Sequence, residues 1–322
     1  MSPLARNLRV YVQRNLPDNT LPDKLYHYTD INVLKILFQD DQDLYAKHCS
    51  YFRGQGEIIP ACKAFTDYLI RKRVFSLENT KQVNNLIAEM IAKERPVYPE
   101  VNNMLPWISC FSSDGDSSYH WQSRARKGNC CAIHFARETL DRYTNEMKIR
   151  RCLNPQCEDA VLLLPCYYIG THNVDGLFEI FFNVCKEDFC NFNLSDDNRK
   201  GCVATIVLSS VMVKELQFAS EKEWRLVRWL SDVRLEKQLS LRQKGQHILQ
   251  RNNKELPQEC VYAGLAEMGN PIRDRILGVT VAPDSIDRLE EVKDLFRTAN
   301  IPFEISGERS IVRAAGCPSL PS

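Results

Sequence analysis

Two glutamates stand two residues apart in the run FASEKEWRLVRW (218–229): Glu221 and Glu223, with Arg225 two further on. In a strand, residues two apart share a face. Glu221, Glu223 and Arg225 would then point one way, and Trp224, Leu226 and Arg228 the other. Like charges that close repel, and such pairs are found where a shifted pKa is useful. The same pattern suits a solvated edge strand whose charges keep it from pairing with another chain. The run by itself leaves both readings open.

These side chains need elements to hold them. KLYHYTD (24–30) reads as a short strand ending at a polar cap, and Ile31, Leu34, Leu37 and Phe38 follow at helical spacing. Residues 61–94 look helical. PWISCFSS reads as a strand broken by the turn-forming SDGDSS, then a helical turn SYHWQSRARKG and a second strand NCCAIHF. ARETLDRYTNEMKIR and DGLFEIFFNVCKEDF read as helices, and AVLLLPCYYIG between them as a strand interrupted by Pro165. CVATIVLSSVMVK and EKEWRLVRW are expected as strands. The end reads as strand, helix, strand: RILGVTVAP, DSIDRLEEVKDLFRTAN and IPFEIS. The expected organisation is an N-terminal arm over 1–22, one α+β domain over 23–314 with a polar insertion at 235–259, and a C-terminal tail over 315–322.

Composition narrows the function class. The chain has 322 residues, 44% hydrophobic and 26% charged, as in an ordinary soluble globular protein. Lys plus Arg is 42 and Asp plus Glu is 41, which argues against bulk electrostatic binding to nucleic acid or an anionic membrane. No apolar run approaches a membrane span, and the N-terminus lacks the apolar core of a signal peptide. The 13 cysteines are odd in number and scattered, often inside apolar runs, which fits reduced thiols in a cytoplasmic protein. RCLNPQCED pairs Cys152 and Cys157 with no second pair at zinc-finger spacing, so no metal is expected. There is no G-x-x-x-x-G-K-S/T loop, no G-x-G-x-x-G after a strand, no H-E-x-x-H and no G-x-S-x-G.

Three segments, LYHYTD, CFSSDGDSSYHWQSRARKGNCCAIHF and KELQFASEKEWRLV, together resemble a bacterial family of unknown function in the ADP-ribosyltransferase superfamily. That family closes on K-x3-aromatic-x2-E-x-E-x-R, and Lys214, Phe218, Glu221, Glu223 and Arg225 stand at all five places. The resemblance runs in pieces from about residue 25 to 313. It implies a split mixed β-sheet with flanking helices that clamps NAD in a cleft. Members of the H-Y-E type use a His on the first strand, a Tyr after the second and a Glu at the start of a late strand. His27 matches the first of these. Ser112 and Ser113 fall in the serine region, and Tyr119 is the candidate stacking ring, with Trp121 as its alternative by helical register. Glu223 matches the terminal Glu and Glu221 the extra acid. Tyr28 departs from the polymerases, which carry Gly after their His. Arg225 reads as an ion-pair partner that holds an acid in place, and Arg124, Arg126 and Lys127 as a solvated basic turn.

The chemistry asks for these residue types. Cleaving the nicotinamide–ribose bond passes through an oxocarbenium-like state, which a carboxylate at the ribose 2′-hydroxyl stabilises. A His bonds the adenosine ribose and an aromatic ring stacks on nicotinamide. A second acid accepts the nucleophile's proton. The resemblance therefore implies an NAD-consuming ADP-ribosyltransferase, with Glu223 stabilising the cleavage and Glu221 activating the nucleophile. It also implies a macromolecular acceptor, protein or nucleic acid, and a toxin-like or defence-related role. An NAD glycohydrolase and a non-catalytic binding module on the same fold are the alternatives.

Overall fold

The structure is a computed structural model that describes residues 3–16, 21–38, 45–48, 58–93, 107–124, 129–141, 160–229, 262–264, 275–301, 303–306 and 311–314. The N-terminal half contains α1 (Pro3–Arg14), β1 (Lys24–Asp30), α2 (Ile31–Leu37), β2 (Tyr45–His48), α3 (Ile58–Arg71) and α4 (Leu77–Lys93), then β3 (Trp107–Ser112), α5 (Ser118–Arg124) and β4 (Cys130–Ala136). Next come β5 (Ala160–Pro165), β6 (Tyr167–Tyr168), α6 (His172–Val184), α7 (Lys186–Cys190), α8 (Asp196–Ser210) and β7 (Val213–Lys214). A 3-10 turn (Leu216–Glu221) leads into β8 (Glu223–Trp229), with β9 (Tyr262–Gly264) and β10 (Ile276–Val281) after it. A second 3-10 turn (Pro283–Arg288), α9 (Leu289–Thr298), β11 (Phe303–Ser306) and β12 (Ile311–Ala314) complete the described chain.

Ten strands form one large sheet that divides into two slabs. One slab runs β11-β12-β10-β4-β1, and the other contains β5, β8, β3, β2 and β9. Strands β1 and β4 pair along their whole length, from Lys24↔Ala136 to Asp30↔Cys130, and β3 and β8 do the same from Trp107↔Arg228 to Ser112↔Glu223. The slabs meet through β1 and β3 at a single register pair, Tyr26↔Ser112. The α+β class is as expected, and the large sheet is continuous through the β1–β3 pair. Its mixed character is not found: every described pairing of the large sheet is antiparallel, and the parallel pair is the two-residue β6–β7 ladder.

A second expectation also fails. CVATIVLSSVMVK is not a strand: all but its last residues lie in α8. Ser195 caps that helix by accepting from the Asn198 amide at 3.1 Å. Cys202, Val203, Ile206 and Val207 then bury one helical face. The hydroxyls of Thr205, Ser209 and Ser210 donate to the carbonyls of Gly201, Ile206 and Val207, which satisfies them inside a buried helix. A helix buried on several sides reads like a buried strand, because neither leaves an exposed face to set a period.

The main core lies under α3, α6, α7 and α8. There Phe65 and Phe178 stack with ring centroids 4.6 Å apart, and Phe75, Phe181, Phe189 and Phe192 are buried beside them. The segment read as an arm supplies α1, whose Leu8 and Val12 are buried in this same core. On the opposite face of β1 and β4 a small second cluster forms from Tyr28, Trp121, Cys130, Ala132 and Ala282, with Tyr26 packed against it. The polar insertion at 235–259 lies outside the described residues, as do the Cys152–Cys157 pair and the tail at 315–322.

Candidate active site

The two acids of the opening run do not share one strand. Glu221 ends the 3-10 turn, β8 begins at Glu223, and Lys222 between them is left-handed, with φ 44° and ψ 48°. The expected alternation along one strand is therefore broken at Lys222. That bend still brings both carboxylates to one cation. Lys214, on β7, donates from Nζ to Glu221 Oε2 and, at 2.6 Å, to Glu223 Oε2. Arg225 Nε donates to the other Glu223 oxygen at 2.6 Å, and its Nη1 to the Val211 carbonyl at 2.8 Å. The Lys214 ammonium also lies 4.9 Å from the Phe218 ring centroid. All five places of the K-x3-aromatic-x2-E-x-E-x-R pattern thus meet in one cluster.

This cluster is deep. Lys214 is 3% exposed, Glu223 5% and Arg225 2%, so the charges survive by pairing. Burial alone would push the Glu223 pKa up, but Arg225 and Lys214 hold it well below the usual carboxylate range. Glu221 behaves oppositely. Burial raises its pKa, the Glu223 charge raises it further, and Lys214 opposes them only in part. One acid is locked as a carboxylate, and its neighbour, nearer the surface, is the member of the pair inclined to hold a proton. The Cys110 thiol faces this network and is pushed well up, by burial first and then by the Glu223 charge.

The serines hold backbone. Ser112 pairs with Glu223 across β3 and β8, and its Oγ donates to the Glu221 carbonyl at 2.8 Å. The Ser113 amide donates to the Lys222 carbonyl at 3.0 Å. Tyr28 is buried, and its hydroxyl donates to the Asp114 carbonyl at 2.7 Å and accepts from the Ser117 amide at 2.9 Å. Its ring stacks on His120 at 4.3 Å and meets the edge of Trp121 at 4.7 Å. Trp121 is also buried and donates from Nε1 to Asp116 at 2.9 Å. Tyr119 is half-buried, with its ring 5.8 Å from His120. Between the two rival stacking residues, Tyr119 is the one with surface to offer. Of the basic turn Arg124, Arg126 and Lys127, only the Arg124 backbone falls within the described residues.

His27 is placed apart. Along β1, Tyr26 and Tyr28 face the small aromatic cluster, whereas Leu25 and His27 face the main core. The His27 ring lies 5.6 Å from Phe111, and its Nδ1 is 2.8 Å from the Cys110 carbonyl. A carbonyl only accepts, so Nδ1 carries the proton there. The structure brings Glu221, Glu223, Arg225, Ser112, Ser113, Tyr28, Tyr119 and Trp121 into one neighbourhood and leaves His27 across the strand from it.

Three further residues join the site without having been singled out as site residues. Lys214 was visible only as a place in the closing pattern. Tyr168 accepts the Glu223 amide at 3.2 Å through its hydroxyl, and nothing in the sequence marked it. His120, one position after the candidate Tyr119, reaches the Glu221 carbonyl with Nε2 at 3.2 Å. Among the described residues, no group of three or more His, Cys, Asp or Glu is placed to hold a metal ion, and no helix is long and apolar enough to cross a membrane. Comparison with family models, with curated proteins and with solved structures finds no match to this chain.

Proposed function

We propose that this chain is an ADP-ribosyltransferase-like enzyme of the cytoplasm that cleaves NAD and passes ADP-ribose to a macromolecular acceptor, protein or nucleic acid. One observation carries the reading. At the place where the two slabs part, two carboxylates share one lysine beside a cluster of aromatic rings. In the reaction, the C1′–N bond breaks and its electron pair leaves with nicotinamide. Glu223, held ionised by Lys214 and Arg225, supplies the negative charge that stabilises the oxocarbenium ion. The acceptor's heteroatom then bonds to C1′ and releases its proton, which Glu221 takes. Tyr119 offers the ring surface for nicotinamide.

A second reading, a non-catalytic binding module, has one observation in its favour: both Glu223 oxygens are already engaged by cations. The test pairs nicotinamide release with acceptor labelling, using purified protein, labelled NAD and cell lysate. Folding of each variant is checked by melting. Glu223→Gln should lower both activities by roughly 10²–10³. Glu221→Gln should lower acceptor labelling more than release of nicotinamide to water. Release without labelling points to a glycohydrolase. An NAD-dependent rise in melting temperature without release points to the module. Neither a rise nor release from folded wild type overturns the proposal.

A further inference from the structure

His120 lies outside the five-residue pattern, yet it touches both halves of the site. It stands on α5, half-buried, with its ring stacked on Tyr28 at 4.3 Å and 27°. Tyr28 is a fixed platform, because its hydroxyl is tied to the Asp114 carbonyl and the Ser117 amide. From that platform His120 Nε2 approaches the Glu221 carbonyl at 3.2 Å, and Ser112 Oγ donates to the same carbonyl at 2.8 Å. The carbonyl accepts, so Nε2 is the protonated nitrogen. Two donors from two different elements thus orient the 221–222 peptide. Turning that peptide would change the left-handed conformation of Lys222 and swing the Glu221 carboxylate away from Lys214.

We propose that His120 is a positioning residue that aims Glu221 at the incoming acceptor by hydrogen-bonding its backbone from the Tyr28 platform. This rests on the acid–base role given to Glu221 above. The hydrogen bond carries the effect and the ring packing only supplies the reach.

Two variants separate these contributions. His120→Gln keeps an N–H donor of similar reach and loses the ring. His120→Phe keeps the ring and loses the donor. Acceptor labelling relative to nicotinamide release should fall about tenfold in His120→Phe, since small misplacements of reacting groups are costly, and should recover in His120→Gln. A wild-type ratio in His120→Phe, or equal losses in both variants, would overturn the proposal. A second readout does not need turnover. Carboxyl-labelled glutamate is followed by NMR through a pH titration, with Glu221→Gln identifying the Glu221 signal. The Glu221 midpoint should move in His120→Phe and hold in His120→Gln; an unmoved midpoint in His120→Phe rejects the role. If wild type releases no nicotinamide, the enzyme reading fails, and this titration still decides what His120 does.

Discussion

Two deeply buried regions among the described residues are built on opposite principles. Beneath α3, α6, α7 and α8, Phe65, Phe178, Phe181, Phe189 and Phe192 are fully enclosed and held by apolar burial and ring packing. Around β7 and β8, Lys214, Glu223 and Arg225 are also buried, and are held by directional, charge-assisted bonds. Apolar packing depends on volume and tolerates a change of shape that neighbours can absorb. A buried ion network depends on every member, because losing one leaves another charge stranded in a low-dielectric site. Retaining shape should protect the first region and fail to protect the second.

The largest expected effect tests that contrast directly. Glu223→Gln preserves shape yet strands Lys214 and Arg225, and should cost about 3–5 kcal/mol of unfolding free energy. Phe178→Leu, a larger change of shape, should cost about 1–2 kcal/mol. Denaturant melts of both variants decide it, and equal costs would erase the distinction.

The same pair should diverge with pH. The folded-state pKa of Glu223 lies below its unfolded value, so its stabilisation is present above the unfolded pKa of about 4.3 and is lost as pH falls further. Glu221 is raised, so its contribution has the opposite sign: present at low pH and lost as pH rises through its folded pKa. The gap between wild type and Glu223→Gln should therefore hold at neutral pH and close in acid below about pH 4. The gap to Phe178→Leu should stay flat across the same melts.

Smaller effects probe the turns that frame the charged region. A Cβ at Gly115 would collide with the Tyr26 ring, so Gly115→Ala should push that ring aside and cost about 1–3 kcal/mol. A chemical-shift change or broadening of the Tyr26 ring signals by NMR would accompany it. Lys222 holds φ 44° without being glycine. Lys222→Val should cost about 1–2 kcal/mol, whereas Lys222→Gly should be nearly neutral. Matching costs for Val and Gly would show that the left-handed turn is not what joins the two acids.

Much of this was legible in the sequence. The strands around His27, Phe111 and Ile133 alternate or run apolar, and Asp30 caps α2 by accepting from the Asn32 amide at 2.7 Å, as its position after KLYHYT implied. The closing pattern was also legible, since its five residues turn out to be one cluster. The break at Lys222 was not, because a left-handed lysine carries no compositional signal. Nor was the helical state of 196–210, where buried β-branched residues imitate a strand. The face that His27 takes was not legible for a different reason. Alternation puts His27 and Tyr28 on opposite faces, but which face meets the core depends on strands more than a hundred residues away. Lys24, for example, pairs with Ala136.

The division of the sheet also bears on how the chain can fold at all. Successive strands cross repeatedly between the slabs: β1 belongs to one, β2 and β3 to the other, β4 to the first again, β5, β8 and β9 to the second, and β10 to the first. Among the described residues, no contiguous stretch holds one whole slab without strands of the other. Neither slab can therefore assemble as an early, self-sufficient unit, and the pairing of β4 with β10 must wait until residues as distant as Phe135 and Ile276 are both available. Long-range pairings of this kind slow folding, because the entropy of closing long loops is lost before the contacts form. During synthesis β4 lacks its β10 partner until residues 276–281 have emerged, and an unpaired strand edge is a template on which another chain can pair.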